Sequence, residues 1–485
     1  MEGILKKLQT LSESDFYPYH MPGHKRLGNE AFALDITEID EFDNLHHATG
    51  MLRDAQNRAA KLYGAKESFF LVNGSTCGLL SAVFASFNRG DKVLVARNCH
   101  KAVYHALEIR GLEPIYLYPK MDGFYDINVG ITISEVKERI DEYQKNNHKQ
   151  ISDAGKVIKG MILTSPTYEG LTSEIKEIAE FLHSRDMLLI VDEAHGAHFG
   201  FGDGFPQSAV TQGADLVIQS MHKTLPSMTQ TALLHRCSDR VDTERIQKYL
   251  GVFQTSSPSY VFMAYMDECI RLLEGKGAEL FRLFRHRLDV FYKRCEAFQC
   301  IKVRKPSIGD DPGKIVICAE GFSGKELYEI LRNRYHLQPE MCAGNYVLAI
   351  MTVCDSEEGF QRLYEALAEL NEEFTAKSGM RDQSEVKNTG LEVQETLASL
   401  LQLQAVQRFY PYETEGRSRR QIKLKEAAGR VSGEYIYLYP PGIPFIVPGE
   451  ILDEEMVEGL LFLQKSGYEL QGMTDVSGES LKVLL

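Results

Sequence analysis

The chain has 485 residues, 44% of them hydrophobic and 25% charged, and a formal net charge of -14. It is long enough for two or three domains, its composition is that of a soluble globular protein, and its acidic balance argues against a nucleic-acid or anionic-membrane partner. The nine cysteines are scattered without a C-x-x-C, which disfavours a disulfide framework or structural zinc site and fits a reducing cytoplasm.

The N-terminal stretch M-E-G-I-L-K-K-L-Q-T reads as a short amphipathic helix rather than a signal peptide. From about residue 50 strands and helices alternate. Ser68 to Val72 reads as a strand, Asn73 to Thr76 as a turn and Leu79 to Phe87 as a buried helix. Strand Lys92 to Arg97, helix Ala102 to Arg110 and strand Pro114 to Tyr118 follow. Then come strand Val157 to Thr164, helix Ser173 to His183 and strand Met187 to Val191. Asp215 to Gln219 and Thr231 to His235 are two further strands. Short apolar strands alternating with helices imply βαβ units and a mostly parallel sheet.

A second region begins near residue 296, with strands at Lys314 to Cys318 and Tyr346 to Val353 and helices at Gly324 to Tyr335 and Glu357 to Glu373. Residues 375 to 395 are polar and charge-rich and read as a linker or surface segment. In the last part, Y-L-Y-P-P-G-I-P-F-I-V-P-G-E (437–450) is stiffened into an irregular loop by its prolines and glycines. The expected division is an N-terminal arm over 1–50, a large domain over 51–295, a small α+β domain over 296–375 and a C-terminal domain with its linker over 376–485. The longest apolar runs, such as Tyr346 to Cys354, are far too short to span a bilayer.

In parallel α/β sheets ligands bind beyond the carboxyl ends of the strands, and four strand ends here carry chemistry. Gly74-Ser75-Thr76 opens a helix with backbone N–H groups and two hydroxyls, an anion cradle or else an ordinary cap. Asn98-Cys99-His100-Lys101 offers an imidazole, which also reads as a capping or surface histidine. Asp192-Glu193-Ala194-His195-Gly196 ends an apolar strand on a carboxylate that needs a buried cationic partner, unless it merely caps a helix. Ser220, His222 and Lys223 follow the strand that closes on Gln219. A lysine desolvated there becomes an imine-forming amine, although it could instead snorkel to solvent. A phosphate cradle, a ring-stacking imidazole, a buried carboxylate and an amine together match one cofactor, pyridoxal phosphate.

The chain resembles the ornithine/lysine/arginine decarboxylases of the aspartate-aminotransferase-like fold. The resemblance rests on H-M-P-G-H-K (20–25), D-I-T-E (35–38), D-N-L-H-H-A-T-G (43–50), F-F-L-V-N-G-S-T (69–76), R-N-C-H-K (97–101), D-E-A-H-G-A-H (192–198), S-M-H-K-T-L (220–225) and Y-P-P-G-I-P-F-I-V-P-G-E (439–450). It implies a fold-type-I pyridoxal-phosphate domain, α/β with a mostly parallel sheet, followed by smaller α+β domains. Lys223 would be the Schiff-base lysine, Asp192 the partner of the pyridine nitrogen and His100 the ring-stacking group. Gly74, Ser75, Thr76, Ser220 and His222 would hold the phosphate, with His195 beside the cofactor. The resemblance further implies a short form without a receiver-like N-terminal domain, and at least a homodimer.

The implied reaction is loss of CO2 from a basic amino acid, with His222 or Lys223 returning the proton to Cα. An aminotransferase or another lyase of the same fold is the alternative. Aminotransferases of this fold usually grip the α-carboxylate with an arginine on a small-domain strand, and Asn345 to Met351 contains none, which favours decarboxylation. A non-catalytic scaffold of this fold would be expected to lack Lys223 or Asp192. No metal is expected, since Pro22 and Gly23 break the spacing of His20 and His24, and Gly196 that of His195 and His198. The distal cation of the substrate has no motif to read it; Glu340, Glu434 and Glu450 are the acidic candidates.

Overall fold

The computed structural model describes residues 3–15, 17–22, 24–26, 30–125, 127–147, 157–378, 399–400, 402–438, 442–465 and 469–485. Most of the segment read as a linker, 379–395, lies outside the described residues, as do residues 439–441 of the proline-rich loop. The first strands among the described residues are β1 (Glu67–Leu71), β2 (Lys92–Ala96), β3 (Glu113–Leu117), β4 (Ile158–Thr164), β5 (Leu188–Asp192), β6 (Leu216–Ser220) and β7 (Ala232–Arg236). Their bounds follow the expected apolar strands closely.

The chain forms two compact units. The first comprises Met1–Phe87, Lys159–Ser165 and Ile175–Leu283. Its strands run in the order β1-β7-β6-β5-β4. β4, β5 and β6 are parallel, whereas β7 is antiparallel to both β6 and β1. The expected parallel run therefore ends at β6, and the chain turns back through residues 221–231. Helix Gly74–Ser86 lies close on this sheet because Gly78 has no side chain: a Cβ there would stand 2.6 Å from Leu71 Cδ1 and 3.1 Å from Ile218 Cγ2. The close approach aims the helix N-terminus at the carboxyl ends of the strands.

The N-terminal helix Ile4–Ser12 is pinned by the Ile4 N–H, which donates to Asp267 at 3.1 Å. Helix Met51–Tyr63 is capped from a distance. Asp43 accepts the N–H groups of Thr49, Gly50 and Leu52 at 2.8–3.0 Å, and these bonds hold its carboxyl below the usual range against the opposing effect of burial.

The second unit comprises Asn88–Ile158, Pro166–Glu174 and Phe284–Leu485. β2 and β3 pair in parallel, and helix Lys101–Arg110 follows β2 with His100 as its N-cap. A four-stranded antiparallel sheet, in the order β10-β11-β9-β8, is built from β8 (Ile301–Val303), β9 (Lys314–Ala319), β10 (Met341–Ala343) and β11 (Tyr346–Ile350). Near the C-terminus, β12 (Arg419–Lys423) pairs with β16 (Ser480–Leu484), and β13 (Ile436–Leu438) lies between β14 (Pro444–Ile446) and β15 (Leu470–Gln471). Leu424, Ile436, Ile446, Leu452, Leu460 and Leu463 form the core of this last part.

Candidate active site

The carboxyl ends of β5 and β6 meet the N-terminus of helix Gly74–Ser86 in the first unit. Asn73 precedes that helix without its side chain capping it; Asn73 Oδ1 accepts the Thr255 N–H at 3.1 Å instead. Gly74 sits at φ 73°, its N–H donates to the Gln230 carbonyl at 2.8 Å, and the space where a Cβ would stand is open. The positive φ suits glycine, and the open space lets a ligand approach the backbone. The Ser75 and Ser220 hydroxyls lie 2.8 Å apart, so the first turn of the helix and the end of β6 present two adjoining hydroxyls. Thr76, in the same turn, is exposed.

Asp192 is the last residue of β5 and only 2% exposed; its Oδ1 accepts the Ala194 N–H at 3.2 Å. Burial raises its pKa, and the charge of Lys223 opposes that rise. Lys223 sits in the helical turn Met221–Thr224 directly after β6, with Nζ 3.0 Å from His195 Nε2. When Lys223 is an ammonium it donates this bond, which places the His195 proton on Nδ1. His222 Nδ1 donates to the Thr231 carbonyl at 3.0 Å. Burial first, and then Lys223, lower the His222 pKa against that bond, leaving a neutral ring with its lone pair on Nε2.

Gly74, Ser75, Thr76, Asp192, His195, Ser220, His222 and Lys223 thus belong to one unit. Hydrogen bonds join Ser75 to Ser220 and Lys223 to His195, and charge couples Asp192 to Lys223. His100 belongs to the second unit, where its Nδ1 accepts the Ala102 N–H at 3.2 Å at the start of helix Lys101–Arg110. Two acidic candidates for reading the substrate are engaged elsewhere. Glu434 accepts from the Thr474 and Lys482 N–H groups at 2.9 and 2.8 Å. Glu450 is fully buried and accepts from Arg97 at 3.0 Å and from the Val447 N–H at 2.8 Å. Glu340 accepts the Tyr168 hydroxyl at 2.5 Å near the surface.

Sequence reasoning assigned no role to the polar groups directly behind the site. Glu193 Oε1 accepts the Ala209 N–H at 2.7 Å, and its Oε2 accepts both the Ser208 hydroxyl and Gln219 Nε2 at 2.6 Å. Gln219 Oε1 in turn lies 3.0 Å from His235 Nε2, and His235 Nδ1 lies 2.7 Å from the Ser68 hydroxyl. The available signal was three polar residues, Ser68, Gln219 and His235, each one position in from the polar end of a short and mainly apolar strand.

Comparison with known proteins gives the family. The model of the Orn/Lys/Arg decarboxylase major domain matches residues 4–302, and that of the Orn/Lys/Arg decarboxylase C-terminal domain matches residues 395–481. The chain belongs to the Orn/Lys/Arg decarboxylase family. It is 33% identical over 502 residues to the Bacillus subtilis protein YaaO, covering 99% of this chain and 98% of that one. It is 31% identical over 487 residues to an arginine decarboxylase of Bacillus subtilis, covering 96% and 94%. The crystal structure of the Francisella novicida lysine decarboxylase LdcF has the same fold, with a TM-score of 0.83 at 20% identity over 100% of this chain and 81% of that one. The chain is accordingly a pyridoxal-phosphate-dependent amino-acid decarboxylase of fold type I.

The residues present fit that cofactor. A phosphate is matched by a helix N-terminus left uncapped by its Asn73 side chain, a glycine with open space at its Cβ position and the Ser75–Ser220 hydroxyl pair. A protonated ring nitrogen is matched by the buried Asp192 carboxylate, and an aldehyde by the Lys223 amine.

Proposed function

We propose that this enzyme decarboxylates a basic amino acid, arginine, lysine or ornithine, to the corresponding amine and CO2. The observation that carries the site assignment is the buried Asp192 carboxylate beside the Lys223 amine at the ends of adjacent strands, next to the Ser75–Ser220 pair. In this reading Lys223 holds the cofactor covalently and Asp192 pairs with its ring nitrogen. Gly74, Ser75, Thr76 and Ser220 receive the phosphate, His222 joins them by taking up a proton on Nε2 on the side of the bound dianion, His195 steadies Lys223, and His100 stacks on the ring. Pyridoxal phosphate, when bound, supplies an electron sink for the pair released as CO2 departs. Lys223 Nζ returns the proton to Cα: it is a donor in its charged state, whereas His222 already commits its Nδ1 proton to Thr231 and its Nε2 proton to the phosphate. The sequence division into an arm, a large domain and two smaller domains, an assembly of at least two copies and a cytoplasmic location belong to the same proposal.

Arginine is the first substrate to test, because the Bacillus subtilis arginine decarboxylase is similar over nearly the whole of both chains. The experiment supplies arginine, lysine, ornithine and norleucine under identical conditions and measures CO2 and the amine formed. One basic amino acid should be preferred, and norleucine, which lacks the distal cation, should fall about 10–150-fold below it in catalytic efficiency. Equal rates on all four, or preference for an acidic or aromatic amino acid, would overturn the proposal.

A further inference from the structure

The groups behind the site form a directional chain that crosses four strands. Glu193 follows Asp192 at the end of β5 and is 2% exposed. Ionised above the pH of about 7 to which burial raises its pKa, its carboxylate takes three donors: the Ala209 N–H, the Ser208 hydroxyl and Gln219 Nε2. Gln219, on β6, is fully buried and immediately precedes Ser220. With its amide nitrogen committed to Glu193, its oxygen must accept from His235 Nε2 at 3.0 Å. His235, on β7, is fully buried and kept neutral, because burial pulls its pKa down to about 3. Its Nδ1 then accepts from Ser68, its cross-strand partner on β1. The direction of each bond from Ser68 to Glu193 is therefore assigned, and the Gln219 amide can adopt one orientation only.

We infer that the Glu193–Gln219 bond is a clamp across the ends of β5 and β6 that sets the spacing between Asp192 on one side and Ser220 and Lys223 on the other. Both are positioning residues for cofactor binding; the inference rests on the assignment of Asp192, Ser220 and Lys223 proposed above. The backbone already joins the two strands at this level, with Asp192 opposite Ile218 and the Glu193 N–H donating to the Ile218 carbonyl at 2.9 Å. The side-chain bond, one residue further out, stops the strand ends from splaying where the backbone ladder ends. Gly196 makes room for it: a Cβ at that position would stand 2.6 Å from Glu193 Cγ and 2.9 Å from the Phe199 ring. The glycine of D-E-A-H-G therefore serves the glutamate of the same motif.

Glu193→Gln separates the clamp from simple burial, since it keeps the shape but sets an amide against the Gln219 amide and two further donors. The exchange variant Glu193→Gln/Gln219→Glu restores complementarity between the strands. In that pair the carboxylate stands on β6, where it accepts from the amide on β5 and from His235. The measurements, made at pH 8 where Glu193 is ionised, are the dissociation constant of pyridoxal phosphate from the apoprotein, the circular-dichroism band of the bound cofactor, and the melting temperature of each apoprotein. Glu193→Gln should weaken cofactor binding about tenfold or more and change the band, and the exchange variant should recover most of both. Unchanged binding in Glu193→Gln, or a folded exchange variant that binds no better than the single one, would overturn the clamp. If Glu193→Gln does not melt cooperatively, the exchange variant alone decides: tight binding supports the clamp and weak binding overturns it. Borohydride labelling of the unaltered protein tests the underlying assignment separately. Label at Lys223 with unchanged binding in Glu193→Gln removes only the clamp, whereas label elsewhere removes both.

Discussion

Arg97 and Glu450 meet at 3.0 Å across 353 residues of chain, both buried. Arg97 follows β2, three residues before His100, and its Nη2 also donates to the Phe445 carbonyl at 2.7 Å. Its guanidinium lies 4.8 Å from the centre of the Tyr116 ring and 5.6 Å from that of Tyr104. The proline-rich loop of the C-terminal part is thereby fastened, within the second unit, to the strand end that carries His100. A carboxylate placed at the end of P-G-I-P-F-I-V-P-G-E thus reads an internal arginine rather than a substrate.

Breaking that pair from one side leaves an uncompensated buried charge. Arg97→Met should destabilise the protein by about 3–5 kcal/mol, and Arg97→Met/Glu450→Met by clearly less. Chemical denaturation of these variants and of Glu450→Met is the check, and a double-variant loss equal to the sum of the two single losses would show that the two residues are not coupled.

Lys223 should carry the cofactor. The purified protein should be yellow, and borohydride reduction followed by digestion should leave the cofactor on a peptide containing residue 223. A labelled peptide that excludes it would remove the central assignment.

Asp192→Asn removes the charge but keeps the shape at the end of β5. Turnover should fall at least about 100-fold, which corresponds to roughly 3 kcal/mol of transition-state stabilisation, while the melting temperature stays close to that of the parent. Near-normal turnover would exclude the proposed pairing with the ring nitrogen.

Much of this was legible before the fold. The boundaries of β1 to β7 follow from short apolar runs, and Asp192, Ser75, Ser220 and Lys223 stand out only as a set, since each alone also reads as a cap or a solvent-facing group while together they supply the groups one cofactor would use. The direction of β7 was not legible, since Ala232 to Arg236 has the same pattern whichever way it runs. The clamp was hidden for a related reason. Ser68 and His235 are 167 residues apart and face each other only once β1 and β7 are paired, and Gln219 reaches His235 only through the β6–β7 pairing. Glu434 and Glu450 misled for the opposite reason: an acidic residue in a distinctive loop looks available until its donors are seen.

Glu193 also gives the fold a pH dependence of predictable sign. Burial pushes its carboxyl up to about 7 even against the donors that surround it, from an ordinary value of 4.5. The folded protein therefore holds this proton where the unfolded chain has released it, and stability falls as pH rises from 4.5 through 7. The full effect is on the order of 3 kcal/mol. Urea unfolding of the apoprotein at pH 5 and pH 8 should show the loss in the parent, and Glu193→Gln, which cannot titrate, should lack that share of it. Asp192, whose charge helps to raise the Glu193 carboxyl, is coupled to it, so the difference between the two proteins reports on this buried pair. An identical pH dependence in parent and variant would mean that Glu193 remains ionised throughout, with its three donors outweighing its burial.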